Sequence, residues 1–114
     1  MLQIDLSGRL AVVTGASGQL GRVMVRTLAR AGADVAIHYH RNEAQAQKLL
    51  AEVTGMGRRA MAVQADVTRL DSILAMRDAI ASALGAPDII VNNSVVQYDW
   101  TRVLEQAPED YESQ

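Results

Sequence analysis

Residues 12–21 read VVTGASGQLG, with glycines at 15, 18 and 21 directly behind an apolar run. A loop of this kind between a strand and a helix gathers backbone N–H groups and the positive end of a helix dipole at one point, which suits a phosphate. Gly15 would permit the tight turn, Gly18 would let backbone approach a ligand, and Gly21 would let the helix pack close to a sheet. Ser17 can add a hydroxyl donor. The spacing is G-x-x-G-x-x-G, not the commoner dinucleotide pattern G-x-G-x-x-G. No Gly-Lys-Ser/Thr follows, which disfavours a nucleoside-triphosphate loop. The alternative is a glycine-rich turn that holds no ligand.

Further along, NAD-binding folds place an acid about 20 residues past the loop to hold the ribose 2′-hydroxyl. Here that region reads HYHRN at 38–42 and holds no carboxylate. Asp34 lies at the wrong end of its strand and Glu43 already opens the next helix. Arg41, with His40 beside it, can pair with a 2′-phosphate, which favours NADP over NAD; otherwise both are solvated residues at a helix start. His38 and His40 share a strand face, but no third ligand is evident and no metal site is expected. Asp66 ends a third strand and is free to accept a hydrogen bond from a ligand amine if Thr68 caps the following helix; alternatively Asp66 helps cap it. Asn92 and Asn93 follow a fourth strand, at the edge where ligands bind in such sheets, or form a simple turn.

The elements that must position these residues alternate along the chain. Residues 10–14 (LAVVT) form a short apolar run suited to a strand buried on both faces. A helix follows, with a stripe at Leu20, Val23, Met24, Thr27, Leu28 and Ala31, capped by Gly32. Residues 34–39 (DVAIHY) are a second strand. Ala46, Leu49, Leu50 and Val53 mark a second helix, ended at residues 55–57. Residues 59–65 (RAMAVQA) are a third strand. Thr68 and Asp71 match a capping box opening a third helix whose buried face is Leu70, Ile73, Leu74, Ile80, Ala81 and Leu84. Residues 88–91 (DIIV) are the fourth strand, and a last helix is expected to begin near Ala107. This β-α alternation predicts an α/β, doubly wound parallel sheet of Rossmann type, of order 3-2-1-4, in one domain spanning 1–114.

Composition limits the alternatives. Apolar residues make up 49% of the 114 and aromatics 4%, with no Phe, so the core must be aliphatic. The net charge of -2, without a basic run, disfavours nucleic acid as a partner. No Cys is present, which excludes disulfides and cysteine metal sites and fits a reducing compartment. No signal peptide and no apolar run of membrane-spanning length is found, so no membrane association and a cytoplasmic location are expected.

Taken together, VVTGASGQLG at 12–21, ADVT at 65–68 and DIIVNNSV at 88–95 resemble, in order and spacing, the short-chain dehydrogenase/reductase family. The family's single-domain branch usually reads T-G-x-x-x-G-x-G, then D-V, then N-N-A-G. The resemblance implies that Gly15, Ser17, Gly18, Gln19, Leu20 and Gly21 surround the pyrophosphate and ribose. It places Asp66 and Val67 at the adenine, and Asn92, Ser94 and Val95 at the nicotinamide side. Thr14 and Asn93 would brace the sheet. Two departures stand out. The middle glycine is at 18, a spacing that resembles the extended branch with its sugar epimerases, and position 18 lacks the Arg that NADP-dependent members often carry, which leaves Arg41 or Arg22 to substitute. N-N-S-V replaces N-N-A-G.

The family's catalytic Ser and Tyr-x-x-x-Lys would lie beyond the fourth strand. Arg102 stands four positions after Tyr98, the sequence ends three residues after Tyr111, and no catalytic residue is assigned within 1–114. The expectation is therefore the cofactor-binding half of a longer NADP(H)-dependent reductase acting on a carbonyl or alcohol, truncated after about four strands and inactive alone. Its full-length form would be a homo-oligomer. The alternatives are a non-catalytic dinucleotide-binding module and an extended-branch epimerase or dehydratase.

Overall fold

The computed structural model describes residues 3–94. Along them run β1 (Leu10–Val13), α1 (Gln19–Arg30), β2 (Asp34–Tyr39), α2 (Glu43–Gly55), β3 (Ala60–Gln64), α3 (Leu70–Ala83) and β4 (Ile89–Val91). Every pairing is parallel and the strand order is β3-β2-β1-β4, as the alternation predicts. The helix expected near Ala107 lies outside the described residues, as do Val95, Tyr98, Trp100 and Tyr111.

Side-chain alternation along the strands divides the core between two faces. Val13, Val35 and Ile37 meet Val25 and Ala29 of α1 and Ala46, Leu49 and Val53 of α2. Leu10, Val12, Ala36 and Val63 face the other way and meet Ile80 of α3. Covering both faces explains why β1 and residues 35–37 of β2 are continuous apolar runs instead of alternating ones. Each such Val, Leu or Ile side chain contributes roughly 1.5–3 kcal/mol on full burial.

The α1 stripe is displaced from its expected phase. Gly21, Val25 and Ala29 are its buried positions, with Met24 and Leu28 partly buried, whereas Leu20 and Val23 are exposed. The helix approaches the sheet closely, and close approach selects the face with the smallest side chains over the most apolar one. At its C-terminal end Gly32 adopts φ +109, which a side chain resists, and the N–H groups of Gly32 and Ala33 donate to the carbonyls of Ala29 and Leu28.

The start of α3 also differs. Its N-cap is Arg69, which makes no side-chain capping bond. Thr68 does not cap the helix, because its hydroxyl and its N–H both donate to Asp66 Oδ1, at 2.6 and 2.9 Å. Ile80 alone is fully buried on α3, flanked by partly buried Met76 and Leu84. Leu70, Leu74 and Ala81 are exposed, contrary to expectation. Ile73, Met76 and Ile80 of α3 line an open apolar groove that runs to β1 and β4.

Candidate functional site

A parallel sheet delivers all its strand C-termini to one edge. Here the segments after β1, β2, β3 and β4 converge there around an open cavity of about 810 Å³. The glycine loop supplies Gly15, Ser17, Gly18, Gln19 and Leu20 to its lining, and the turn after β2 supplies His40, Arg41 and Asn42. Asp66, Val67 and Thr68 follow β3, and Asn93 and Ser94 follow β4. Of the residues expected at a ligand, Gly21 and Asn92 do not line this cavity. Gly21 is buried beneath it, and Asn92 faces the apolar groove on the α3 side. Val95 lies outside the described residues.

The loop is shaped by its glycines in unequal ways. Gly15 turns the chain at φ +63, a left-handed conformation that favours glycine. A Cβ at Gly21 would collide with the Gly15 carbonyl oxygen and approach Ala16 Cα to 2.7 Å, so this position admits no side chain. Gly18 is extended at φ -75, and a Cβ there would meet nothing closer than 3.5 Å. Loop N–H groups of Gly15, Ala16 and Gly18 donate inward, to His38 Nδ1, the His38 carbonyl and the Gly15 carbonyl. Those of Ser17, Gln19 and Leu20, all on the cavity wall, have no partner among the described residues. No side chain caps α1 and no acid sits in its first turn, so its positive end faces the cavity uncompensated.

Thr14 braces the sheet ends, as expected, whereas Asn93 both braces the glycine loop and lines the cavity. Thr14 Oγ1 accepts from the N–H groups of Asn93 and Ser94 at 2.9 and 3.0 Å, and Asn93 Nδ2 donates to the Gly15 carbonyl at 3.2 Å. Arg22 does not reach the cavity. Its Nε donates to the Gly18 carbonyl and its Nη1 to Gln45 Oε1. Arg41, by contrast, is among the residues lining the wall.

Asp66 is less free than the capping argument implies. Oδ1 is occupied by Thr68, while Oδ2 lies 4.0 Å from His40 Nε2. The hydrogen bonds from the Thr68 hydroxyl and N–H, aided by His40 and Arg69, hold its carboxyl below the ordinary 3.8. It is therefore an anion near pH 7, with one oxygen left toward the cavity.

His38, singled out in the sequence only as a weak metal candidate, is 1% exposed. Its Nδ1 accepts from the Gly15 N–H at 2.9 Å, and Nε2 lies 2.8 Å from the Ala65 carbonyl oxygen. The two contacts require the neutral tautomer protonated at Nε2. Burial is the main influence lowering its pKa from the ordinary 6.5, with His40 adding to it. The one imidazole lone pair is taken by Gly15, which leaves none for a metal. A signal was legible: a polar ring inside the apolar strand DVAIHY must find partners for both nitrogens.

The profile of the short chain dehydrogenase family matches residues 9–113. This chain belongs to the short-chain dehydrogenase/reductase family. An uncharacterized oxidoreductase of Methylorubrum extorquens is 37% identical over 106 residues, covering 93% of this chain and 42% of that protein. A short-chain dehydrogenase from Burkholderia cenocepacia, solved in complex with NADP, superposes with a TM-score of 0.82 at 35% identity, over 95% of this chain and 44% of its own. The chain thus spans less than half the length of these relatives. The short-chain dehydrogenase/reductase homolog YusS of Bacillus subtilis, 33% identical over 108 residues, is covered over 99% of its length. Within this oxidoreductase family, the glycine-loop cavity is the candidate cofactor site. Among the described residues, no helix is long and apolar enough to cross a membrane.

Proposed function

We propose that the chain binds NADP(H) in the glycine-loop cavity and supplies the cofactor-binding half of a reductase acting on a carbonyl or alcohol. The observation that carries this reading is the juxtaposition of two features. Unpartnered N–H groups of Ser17, Gln19 and Leu20 stand at an uncapped helix start, and Arg41 and His40 line the same cavity where an NAD-binding fold would carry an acid. The first fits a pyrophosphate and the second a 2′-phosphate. The Burkholderia neighbour's NADP complex is consistent with both. When bound, the nicotinamide supplies hydride transfer. The residues of this chain orient the dinucleotide: the loop holds the pyrophosphate, Asp66 and Val67 meet the adenine, and Ser94 stands toward the nicotinamide. Further expectations are inactivity of the 114 residues alone, a homo-oligomeric longer form and a cytoplasmic location.

A second reading is a dinucleotide-binding module without turnover. Titration with NADPH and NADH, followed by cofactor fluorescence, tests the first reading. NADPH is expected to bind tighter, and Arg41→Ala to weaken NADPH by roughly 10- to 100-fold with little effect on NADH. Tighter NADH, or unchanged NADPH affinity in Arg41→Ala, overturns the assignment. NADPH oxidation by the chain in the presence of short-chain aldehydes or ketones would overturn both the module and the expected inactivity of the 114 residues alone.

A further inference from the structure

Three segments that shape the cavity meet at one side chain. The glycine loop, the end of β2 and the end of β3 are joined through the His38 ring, by Nδ1 to the Gly15 N–H and Nε2 to the Ala65 carbonyl. The His38 main-chain carbonyl also accepts from the Ala16 N–H at 2.9 Å, so backbone alone already ties loop to strand. The ring adds two things. It takes up the Gly15 N–H, and it ties the loop to the segment carrying Asp66.

We propose that His38 is a positioning residue for the dinucleotide, its imidazole setting the glycine loop in the shape that presents the N–H groups of Ser17, Gln19 and Leu20 to the pyrophosphate. This rests on the dinucleotide reading above. A proton on Nδ1 would replace the acceptor by a donor facing the Gly15 N–H, two donors in contact, and would push the loop off the strand. The geometry therefore makes the loop competent only while the ring is neutral. Burial, which lowers the ring's pKa, keeps it so through the neutral range. Loop residues 15–18 bring no titratable group to the ring. His40 stands in the turn just after β2, Asp66 follows Ala65, and Arg41 lines the same cavity. The His40 charge opposes protonation of His38.

Linkage has a definite sign here. A folded-state pKa below the unfolded value means that the unfolded chain takes up the proton first. Stability and cofactor affinity are then full above about pH 6.5 and fall as the pH drops through the His38 titration.

The test uses the 114-residue chain and NADPH. Imidazole NMR is expected to show His38 as the Nε2–H tautomer titrating below 6.5. His38→Leu, which loses both ring bonds, is expected to weaken NADPH binding about tenfold or more at neutral pH. His38→Asn offers an acceptor near the Nδ1 position and is expected to recover most of that affinity. Wild type and His38→Asn share every other group lining the cavity, so the difference between their pH profiles reports the loss of the His38 ring. That difference should appear below neutrality and vanish above it. Failure of the wild-type chain to bind NADPH at any pH overturns the dinucleotide reading together with this role. Wild-type binding with an unimpaired His38→Leu overturns the role of His38 alone. So does an Nδ1–H tautomer, or a pH profile of His38→Asn identical to that of wild type. If His38→Leu is unfolded by circular dichroism, the NMR tautomer and the His38→Asn profile still decide the question.

Discussion

At the scale of single residues, the three glycines of the loop do different work, and substitution separates them. Gly21→Ala would press a methyl group into the Gly15 carbonyl and Ala16 Cα, both backbone and unable to rotate away. It is expected to destabilise by about 1–3 kcal/mol, as overpacking does. Gly18→Ala meets only the Gly15 carbonyl oxygen, at 3.5 Å, in an extended backbone. It should leave stability within about 0.5 kcal/mol, and urea unfolding of the two variants checks the contrast. The fold therefore does not demand glycine at 18. The sequence made the cavity wall largely legible, since Gly15, Ser17, Gly18, Arg41, Asp66 and Ser94 all reach it. It was silent on the Asp66–Thr68 turn and on Asn92 facing the other side of the sheet. Both depend on where the chain bends after a strand, which side-chain type alone does not specify.

At the scale of elements, the strands and helix ends were read to within a residue or two, because Gly, Pro and apolar runs mark them by local chemistry. Helix faces were read less well. Periodicity finds the most apolar stripe, yet α1 buries Gly21, Val25 and Ala29, since its distance from the sheet is set by size. The same distinction separates two helix starts. Asn42 Oδ1 accepts from the Gln45 N–H at 3.3 Å and caps α2, while Thr68 is turned to Asp66 and caps nothing. Asn42→Ala is therefore expected to lower stability by about 1 kcal/mol. Thr68→Val, which removes only the exposed hydroxyl bond to Asp66, should lower it by less than about 0.5 kcal/mol. Thermal or urea denaturation distinguishes the two, and a larger loss from Thr68→Val would restore the capping box.

At the scale of the whole molecule, the described sheet has two edges, β3 and β4, and the one beside β4 is apolar. Ile90 on β4 is 63% exposed, and next to it runs a groove of about 400 Å³ walled by Val12, Ile73, Met76, Ile80 and Pro87. An unpaired parallel strand adjoining uncovered aliphatic surface is a template for association. The small net charge of -2 supplies little repulsion to oppose it. The 114-residue chain is therefore expected to self-associate in a concentration-dependent way near neutral pH, read by sedimentation velocity. Ile90→Lys puts a charge on the edge where the side chain is already mostly in water. It should shift the distribution toward monomer while changing stability by less than about 1 kcal/mol. Association that persists unchanged in Ile90→Lys would move the contact away from β4. A monodisperse wild-type monomer with high thermal stability would mean that the groove is covered within the chain itself.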